Sequence, residues 1–240
     1  MTVLMKTCKR KGFSDPMNLH LFFHGEHGVV RSLFNKRISR QQVKGCELII
    51  DAFEHYQPDG TLPQLAYILA TAYHETAYRM WPVRETLASS DQQAINRLES
   101  AWRRGRLEWV KTPYWREGYF GRGFVQLTHR ANYEGPLREA VLDVFPDKDI
   151  AVHPEYVLDP EVSAYILIEG MMRGDTGLGD FTSSCLEDYV RPGKKDYYTA
   201  RRVVNPGDRP SYNKIASEAE LFEAALTWAD WADFDDDLID

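Results

Sequence analysis

The sequence predicts a mainly α-helical domain with little β structure. Apolar residues recur at helical spacing, most clearly at Leu65, Ile68, Leu69 and Ala72. A turn and an N-cap at 59–61 precede that stretch, and Pro63 lies in the first turn, where its missing N–H costs nothing. The hydrophobic content of 43% is enough to build a substantial core. These observations favour one moderately large helical domain.

Helical patterns divide the chain into predicted helices on either side of one long loop. The helices before the loop are expected at 21–34, 41–56, 62–78 and 91–104. The loop-rich stretch is 107–128, and helical patterns resume at 129–144, 160–173, 196–204 and 211–229. The domain is expected to span 20–229, between a basic, weakly ordered lead at 1–19 and an acidic tail at 230–240. Met17 within the lead is an alternative start.

Charge and composition exclude several classes of function. A net charge of −7 and the lack of a basic stripe argue against nucleic-acid binding. No apolar run reaches transmembrane length, and no apolar segment of signal-peptide type follows the basic start. Cys8, Cys46 and Cys185 are odd in number and widely spaced, which argues against a disulfide framework and a metal cluster. We therefore expect a cytosolically made monomer that needs no metal or cofactor and does not insert into a membrane.

Glu75 is the candidate general acid, because it falls two turns after Ile68 on nearly the same helix face. A carboxyl group on an apolar face is poorly hydrated, and burial raises its pKa. The helix macrodipole acts in the same direction, since the C-terminal end disfavours negative charge. A raised pKa lets a glutamic acid keep its proton near neutral pH and deliver it to a leaving group. The alternative is that Glu75 is a solvated surface residue.

The segment 119–133 contains the second group of candidate residues. Gly121 and Gly123 let the backbone adopt tight conformations and approach a ligand closely. Arg122 between them can fork onto a carboxylate.

Gln126 and Thr128 follow two residues apart, so in an extended stretch both side chains point to one side. Val125 and Leu127 then point to the other side, into the core. An amide and a hydroxyl side by side suit a sugar or a positioned water. The alternative is that Thr128 caps a helix running through 132 with Gln126 merely exposed, although capping and function can coexist.

Several segments, taken in order, carry a resemblance to a known family. They are 74–76 (His-Glu-Thr), 119–123 (Tyr-Phe-Gly-Arg-Gly), 126–129 (Gln-Leu-Thr-His), 180–182 with 186–189, and 200–205. Together they resemble the catalytic domain of glycoside hydrolase family 19, and most closely its bacteriophage endolysin branch, over about residues 22–226. The resemblance implies a lysozyme-like helical domain with a catalytic cleft. It also implies cleavage of β-1,4-linked N-acetylhexosamine polymers with inversion at the anomeric carbon.

The resemblance implies roles for particular residues. Glu75 matches the general acid of the family. Gln126 and Thr128 match positions that contact substrate and hold the attacking water, and Asn132 and Asn205 match asparagines that line the sugar cleft.

Further residues are expected beside the substrate. Aromatic rings are expected to line an open cleft and to stack on sugars, at Tyr73, Trp81, Tyr119 and Phe120. Arg122 and His74 are expected to lie near the substrate, and His74 is most simply a structural histidine hydrogen-bonded near the helix end. We assign no catalytic step to His74.

Which carboxylate acts as the general base depends on its distance from Glu75 along the chain and in space. In chitinases of the family it is a glutamate well downstream of the acid, whereas here the nearest candidate is Glu85, in the segment just after the helix. An inverting pair needs a gap of about 6.5 to 9.5 Å between its carboxyl groups to admit a water. Asp91 is the reserve candidate. The alternative for Glu85 is an ion pair with Arg84 or Arg79.

Two departures from the family bear on specificity. Ala131 stands where the family has an aromatic residue, which removes a stacking surface and suggests a different sugar subsite. The stretch 206–208 reads Pro-Gly-Asp where the family usually has paired glycines. The backbone conformation of this wall of the cleft is therefore expected to differ from that of the family.

The expected function is that of an endolysin without a signal peptide that reaches the cell wall in the periplasm after release from the cytoplasm. Its partner is peptidoglycan, in which it hydrolyses the β-1,4 bond between N-acetylmuramic acid and N-acetylglucosamine. One alternative is a chitinase, which shares the chemistry, although the missing disulfides and export signal count against it. The other alternative is a non-catalytic, cell-wall-binding virion protein that has kept the fold.

Overall fold

Helices make up most of the chain in the computed structural model, which describes residues 17–172 and 181–231. The helices of its first half are α1 (Leu19–His24), α2 (Val29–Ser32), α3 (Arg40–Tyr56), α4 (Leu62–Glu75) and α5 (Asp91–Arg103). They are followed by α6 (Arg130–Glu134), α7 (Pro136–Val144), α8 (Pro160–Met171), α9 (Tyr197–Ala200) and α10 (Tyr212–Trp231). The prediction of a mainly α-helical fold is confirmed. Most of the predicted basic lead, Arg173 and most of the acidic tail lie outside the described residues.

Helix α4 lies at the centre of the core, and every side chain from 64 to 73 is buried. Its start is the predicted one, with Thr61 as N-cap, whose backbone N–H donates to Gln64 Oε1 at 2.8 Å. Its end comes earlier than predicted, because Ala77 and Tyr78 adopt positive φ angles of 48° and 68° that a helix does not allow. Glu75 is therefore the last helical residue.

The other helices pack around α4. Helix α10 runs against α4 and also contacts α1, while α3 packs on α8. A second, smaller apolar cluster lies between α5 and the segment that follows it; its buried members are Ala88, Ala94, Leu98, Trp115 and Phe120. Two members of this cluster, Ala88 and Phe120, lie in the segments that carry Glu85 and Gly121.

Three predicted helices are broken in the structure. The predicted helix 21–34 is two helices, α1 and α2, because the chain bends at 25–28. A Cβ atom on Gly25 or Gly28 would come within 2.6 Å of a backbone oxygen there. The predicted helix 129–144 is interrupted at Gly135, before Pro136 opens α7. The predicted helix 196–204 is α9 followed by a 3-10 turn at Arg201–Val203.

Strands within the described residues are confined to two short antiparallel pairs. Strand β1 (Val83–Arg84) pairs with β2 (Arg122–Gly123), so that Val83 lies opposite Gly123. Strand β3 (Val190–Arg191) pairs with β4 (Lys194–Lys195). The β1–β2 pair joins the chain just after Glu75 to the Gly-Arg-Gly motif, and so builds one site from two distant segments.

Two glycines allow this close packing. Gly123 has a φ of 84°, and a Cβ atom there would lie 2.7 Å from Ser163 Oγ. Gly45 on α3 lies directly under the segment after Glu75, since a Cβ atom at this position would lie 1.7 Å from the Met80 carbonyl oxygen. Neither position has room for a larger residue without a backbone shift.

Some features of other protein classes are absent from the described part of the chain. No helix in 17–172 or 181–231 is long and apolar enough to cross a bilayer. Within these same ranges no group of three or more His, Cys, Asp or Glu side chains is placed to hold a metal ion. No disulfide joins the two cysteines that the structure describes, Cys46 and Cys185.

Candidate active site

Glu75 ends α4 with its carboxylate against the guanidinium group of Arg201. Arg201 Nη1 donates a hydrogen bond to Glu75 Oε1 at 2.6 Å, and the two side chains are 3% and 15% exposed, respectively. The alternative that Glu75 is a solvated surface residue is therefore wrong. Its position at the end of an apolar helix face is as predicted, but its cationic partner was not foreseen.

The surroundings of Glu75 raise the pKa of its carboxyl group above the usual value. Burial is the largest influence, because it disfavours the charged form. The positive charge and the hydrogen bond of Arg201 act in the opposite direction, and the negative charge of Asp208 adds to the rise. The pKa of Glu75 is thus raised, as the sequence argument predicted, and Arg201 makes the rise smaller than burial alone would.

Arg201 joins two carboxylates in a buried arrangement. Its Nη2 donates to Asp208 Oδ2 at 2.8 Å, while Nη1 is bonded to Glu75. Both carboxylates help to raise the pKa of Arg201, although burial alone would lower it. The chain that carries Asp208 is the stretch 206–208, whose departure from paired glycines thus supplies a charged residue to the site.

His74 stands beside this group and is neutral at neutral pH. Burial, and then the charge of Arg201, lower the pKa of His74 to about 4. Its Nε2 lies 4.0 Å from Asp208 Oδ2, and its buried Nδ1 has no hydrogen-bond partner among the described residues. The expectation that His74 is hydrogen-bonded is therefore wrong for Nδ1. The nearby carboxylates of Glu75 and Asp208 accept hydrogen bonds from Arg201 instead.

Glu85 follows β1 and is held by two uncharged donors. Tyr114 Oη donates to Glu85 Oε1 at 2.7 Å, and the Gly121 backbone N–H donates to Oε2 at 2.8 Å. The backbone N–H of Glu85 also donates to the Gly121 carbonyl at 2.7 Å. The predicted alternative of an Arg84–Glu85 ion pair is wrong, because Arg84 pairs with Asp91 instead. Glu85 therefore stays partly exposed and is oriented by neutral groups.

Asp91, the reserve candidate for the base, is committed to two arginines. Its Oδ1 lies 2.5 Å from Arg84 Nε, and its Oδ2 lies 2.8 Å from Arg122 Nη2. Burial would raise the pKa of Asp91, but the two hydrogen bonds outweigh it and hold the pKa below its usual value. A carboxylate with two guanidinium partners is a weak proton acceptor, so the structure favours Glu85.

Arg122 binds a carboxylate, but through one oxygen of Asp91 and not as a fork, and the structure does not fit the expectation of substrate contact. Its side chain is 2% exposed, with the guanidinium carbon 3.7 Å from the centre of the Phe120 ring. Besides Asp91, it donates to the Gly118 carbonyl at 2.8 Å. It therefore braces the loop from within. The expectation of substrate contact was wrong because flanking glycines do not determine whether an arginine side chain faces solvent. Here the loop folds over the Arg122 side chain and buries it.

Gly121 lies where three candidate side chains converge. A Cβ atom on Gly121 would lie 2.9 Å from Gln126 Oε1, 3.3 Å from Thr128 Oγ1 and 3.4 Å from Glu85 Cβ. Gln126, Thr128 and Glu85 are thus neighbours, although they were predicted from separate segments. A side chain at 121 would therefore force the Gln126 amide to move from this arrangement.

The alternation predicted for this stretch is confirmed, although its backbone is not regular. Val125 and Leu127 are buried, while Gln126 and Thr128 are partly exposed. Gln126 reaches its position with a φ of 54°, and its amide donates to the Val83 carbonyl at 2.9 Å. Thr128 Oγ1 donates to the Gln126 carbonyl at 2.7 Å. The helix-cap alternative for Thr128 is wrong, since His129 is the N-cap of α6.

The two asparagines that the resemblance placed in the cleft have local structural bonds. Asn132 Nδ2 donates to the Thr128 carbonyl at 2.8 Å and so supports the turn that holds the hydroxyl. Asn205 is exposed, and its Oδ1 accepts from the Gly207 backbone N–H at 3.2 Å. Asn205 leaves its side-chain amide nitrogen toward solvent, whereas Asn132 acts mainly through Thr128.

Most of the aromatic rings expected to stack on sugars belong to the core. Tyr73, Tyr119 and Phe120 are all buried, and the Tyr119 hydroxyl donates to the Ala151 carbonyl at 3.1 Å. That expectation was wrong for these three rings, because aromatic residues near a site fill the space beneath it as readily as they line it. Trp81 is partly exposed.

The backbone between Glu75 and Glu85, and just after Glu85, is strained. Positive φ angles occur at several non-glycine residues, namely Ala77, Tyr78, Met80, Thr86 and Leu87. Such conformations are costly for residues with a Cβ atom and cluster at functional sites. Strained residues thus lie between Glu75 and Glu85, at 77, 78 and 80, and directly after Glu85, at 86 and 87.

Sequence reasoning did not single out three residues that define the site, which are Arg201, Asp208 and Tyr114. Arg201 lies within the segment 200–205 of the family resemblance, so a search there for a cation to pair with Glu75 would have found it. Asp208 was noted only as a departure. Tyr114 gave no signal, because its contact with Glu85 depends on how the loop folds back.

Comparison with protein-family models, curated proteins and solved structures finds no match for this chain. The chemical interpretation of the site therefore depends on its geometry and on the sequence motifs. That geometry comprises a buried carboxyl with a raised pKa, a second carboxylate held by neutral donors, and the Thr128 hydroxyl, which like Glu85 lies next to Gly121.

Proposed function

We propose that the protein is a glycoside hydrolase that cleaves the β-1,4 bond between N-acetylmuramic acid and N-acetylglucosamine in peptidoglycan. The observation that carries the proposal is the raised pKa of the buried Glu75 carboxyl at the end of α4. Glu85 supports it, because this carboxylate is oriented by neutral groups and accompanied by Thr128. The substrate class comes from the resemblance to glycoside hydrolase family 19.

In the proposed reaction Glu75 gives its proton to the glycosidic oxygen as the bond from that oxygen to the anomeric carbon breaks. A water molecule positioned by the Thr128 hydroxyl attacks the anomeric carbon from the opposite face and transfers a proton to Glu85. Glu75 is then a carboxylate beside Arg201, whose charge stabilises it. The proton on Glu85 leaves to solvent, Glu75 takes up another, and the cycle is complete.

The pH dependence of this reaction follows from the protonated state of Glu75. The acid works only when it holds its proton, so turnover falls as the pH rises through its pKa. Burial moves that limit upward, which extends activity toward neutral pH. Arg201 opposes this rise but assists the ionised acid after proton transfer.

The first test compares the wild-type protein with Glu75→Gln on purified Gram-negative sacculi. The amide is nearly isosteric with the acid but has no acidic proton, so we expect loss of turnover with the fold retained. Released fragments are identified by mass spectrometry with reducing-end labelling. The expected products are muropeptides that end in reducing N-acetylmuramic acid, from the wild type alone.

Glu139→Gln is the matched control, because Glu139 is an exposed glutamate on α7 away from the site. It should release the same fragments as the wild type. Equal release by the Glu75→Gln protein would overturn the proposed mechanism. Cleavage of chitin oligomers without release from sacculi would assign the protein as a chitinase. Saturable sacculus binding without any new reducing ends would assign it as a binding protein.

A further inference from the structure

A loop after α5 exposes an aromatic side chain that the fold does not use. Trp109 is 76% exposed, the largest exposed fraction of any large apolar side chain that the structure describes. Isolated exposed apolar residues are common on protein surfaces, so this exposure alone carries no conclusion. Two further properties of the loop do, namely its anchoring and its charge.

The loop is anchored so that Trp109 stays outside. The Trp102 indole N–H donates to the Val110 carbonyl at 3.1 Å, and the Arg106 backbone N–H donates to the Ala101 carbonyl at 3.0 Å. Leu107 and Val110 on either side of Trp109 pack against the smaller apolar cluster. Two neighbours of the indole are thus turned inward and fix the loop, while the indole itself is presented to solvent.

The same loop is basic in a protein that is acidic as a whole. Residues 103–113 contain Arg103, Arg104, Arg106 and Lys111 against a single acid, Glu108, whereas the whole chain carries a net charge of −7. Arg103 is paired with Glu99 at 2.9 Å. Arg104, Arg106 and Lys111 lie within five residues of Trp109 in the chain, and all three are exposed. Arg104 donates to the Ser100 carbonyl at 3.1 Å, and none of the three forms an ion pair with an acidic side chain among the described residues. The loop that presents the indole therefore carries an excess of positive charge.

We propose that this loop is a docking site for an anionic lipid surface. An indole with an apolar body and a polar N–H is suited to the boundary between headgroups and acyl chains, and flanking basic side chains attract anionic headgroups. A single-stranded nucleic acid is bound by several stacking rings along a positive groove, and the loop offers only one free ring. The surface thus fits a peripheral, reversible contact with a membrane. This inference does not depend on the proposed hydrolysis.

The test measures partition of the full chain onto extruded vesicles by co-sedimentation. The protein is expected to bind vesicles of phosphatidylglycerol and phosphatidylcholine, to ignore pure phosphatidylcholine, and to dissociate as salt screens the charges. The double variant Arg104→Glu/Arg106→Glu removes two basic side chains, and each is expected to raise the partition coefficient about fivefold. We therefore expect the partition coefficient of this variant to fall at least about 25-fold. The matched control, Arg31→Glu/Arg40→Glu, reverses two exposed charges elsewhere and is expected to change partition far less.

The position of Trp109 is tested with bilayers that contain brominated lipid, which quenches nearby tryptophan. Quenching is expected in the wild type and in Tyr198→Ala, an exposed aromatic control, but not in Trp109→Ala. Vesicle binding that the loop charge reversal and Trp109→Ala leave unchanged would overturn the inference, as would the absence of binding. Binding of the loop to short single-stranded DNA in preference to vesicles would also overturn it. All these readouts are separate from hydrolysis of sacculi.

Discussion

Tyr114 shows how one hydroxyl group orients a functional carboxylate. It lies 29 residues from Glu85 in sequence and donates to Glu85 Oε1 at 2.7 Å. Burial, and then the charge of Glu85, raise the pKa of Tyr114, so the phenol keeps its proton and remains a donor. The ring also packs against His129, with 4.8 Å between ring centres. The hydroxyl thus fixes Glu85 while the ring fixes the loop.

Tyr114→Phe is expected to lower turnover on sacculi about 10- to 100-fold, because a hydrogen bond to a charged group contributes about 1.5 to 3 kcal/mol. The ring and its packing are retained, so the free energy of unfolding should fall by no more than the hydrogen bond contributes, about 1.5 to 3 kcal/mol. Initial rates across pH and a urea unfolding curve measure the two effects. Tyr198→Phe, which changes an exposed tyrosine, is the control. Wild-type turnover in Tyr114→Phe would contradict a role in orienting Glu85.

At the level of residues, the sequence predicted positions better than environments. Helical phase placed Glu75 at the end of an apolar face, and strand alternation placed Gln126 and Thr128 on one side. It did not reveal that Tyr119 and Arg122 are buried, because burial depends on which segments cover a residue. The ion pair of Glu75 with Arg201 depends on such distant packing too.

Helix α10 contributes a buried carboxyl group to its packing surface on α4. Glu218 is 7% exposed, and its Oε2 has no hydrogen-bond partner among the described residues. Burial raises the pKa of Glu218 to about 7, although the charge of Lys214 opposes the rise. The charge of Glu218 in turn contributes to the raised pKa of Tyr73 on α4. This helix contact therefore contains a group that titrates near neutral pH.

The stability of this contact is expected to depend on pH. Glu218 loses its proton near pH 7 in the folded state and near 4.5 when unfolded. A raised pKa gives stability that is present below pH 4.5 and is lost as the pH rises through 7. Glu218→Gln should therefore be more stable than the wild type at pH 8, by up to roughly 3 kcal/mol, with the difference vanishing below pH 4.5.

Urea unfolding at about pH 4.5, 6 and 8 measures this difference. The lowest value is the ordinary pKa of a glutamate, 4.5. The other two lie in the middle and at the upper end of the pH range over which the stability difference is expected to develop. Glu220→Gln, on the exposed face of α10, is expected to show no such trend. A difference between Glu218→Gln and the wild type that is the same at all three pH values would refute the assignment.

At the level of elements, helix starts were predicted well, whereas the early end of α4 and the breaks within three predicted helices were not. Thr61 and Pro63 are local signals, and both lie where α4 begins. The end at Glu75 is imposed by strained residues that pack on Gly45, a contact between distant segments. The break at 25–28 likewise arises where the chain has no room for side chains, which apolar spacing does not record.

On the scale of the whole molecule, Arg201 joins the N-terminal and C-terminal parts of the chain. It pairs with Glu75 at a separation of 126 residues and with Asp208 in its own part of the chain. Arg201→Met removes the shared cation and leaves two carboxylates close together. Loss of one partner of a buried pair costs about 3 to 5 kcal/mol, so we expect a loss of stability of that order at pH 8.

The loss in Arg201→Met should shrink as the pH falls, because the pKa of Glu75 rises without its cation and the protonated acid tolerates burial. The same rise should shift the upper pH limit of turnover on sacculi to higher pH. Urea unfolding and a pH profile of turnover measure the two effects. Arg202→Met changes the exposed neighbour and serves as the control. A stability deficit independent of pH would contradict the pairing of Arg201 with Glu75.

The general architecture followed from the sequence, but the joining of its parts did not. Composition, caps and apolar spacing predicted a mainly helical protein, as the structure confirms. The β1–β2 pair and the reach of Arg201 to α4 bring together segments that have no local signal for each other. The family resemblance grouped 74–76, 119–123 and 200–205 without their contacts, and β1 was not among its motifs.

The long separation between Glu75 and Arg201 has a consequence for how the protein is made. A ribosome delivers Glu75 126 residues before Arg201, and α10, which covers α4, emerges later still. The cation that pairs with the acid is therefore missing until residue 201 has been synthesised. Partial translation products that stop before residue 201 contain Glu75, Glu85 and Thr128 but lack the group that completes the site. Synthesis itself thus delays assembly of the site until Arg201 has emerged.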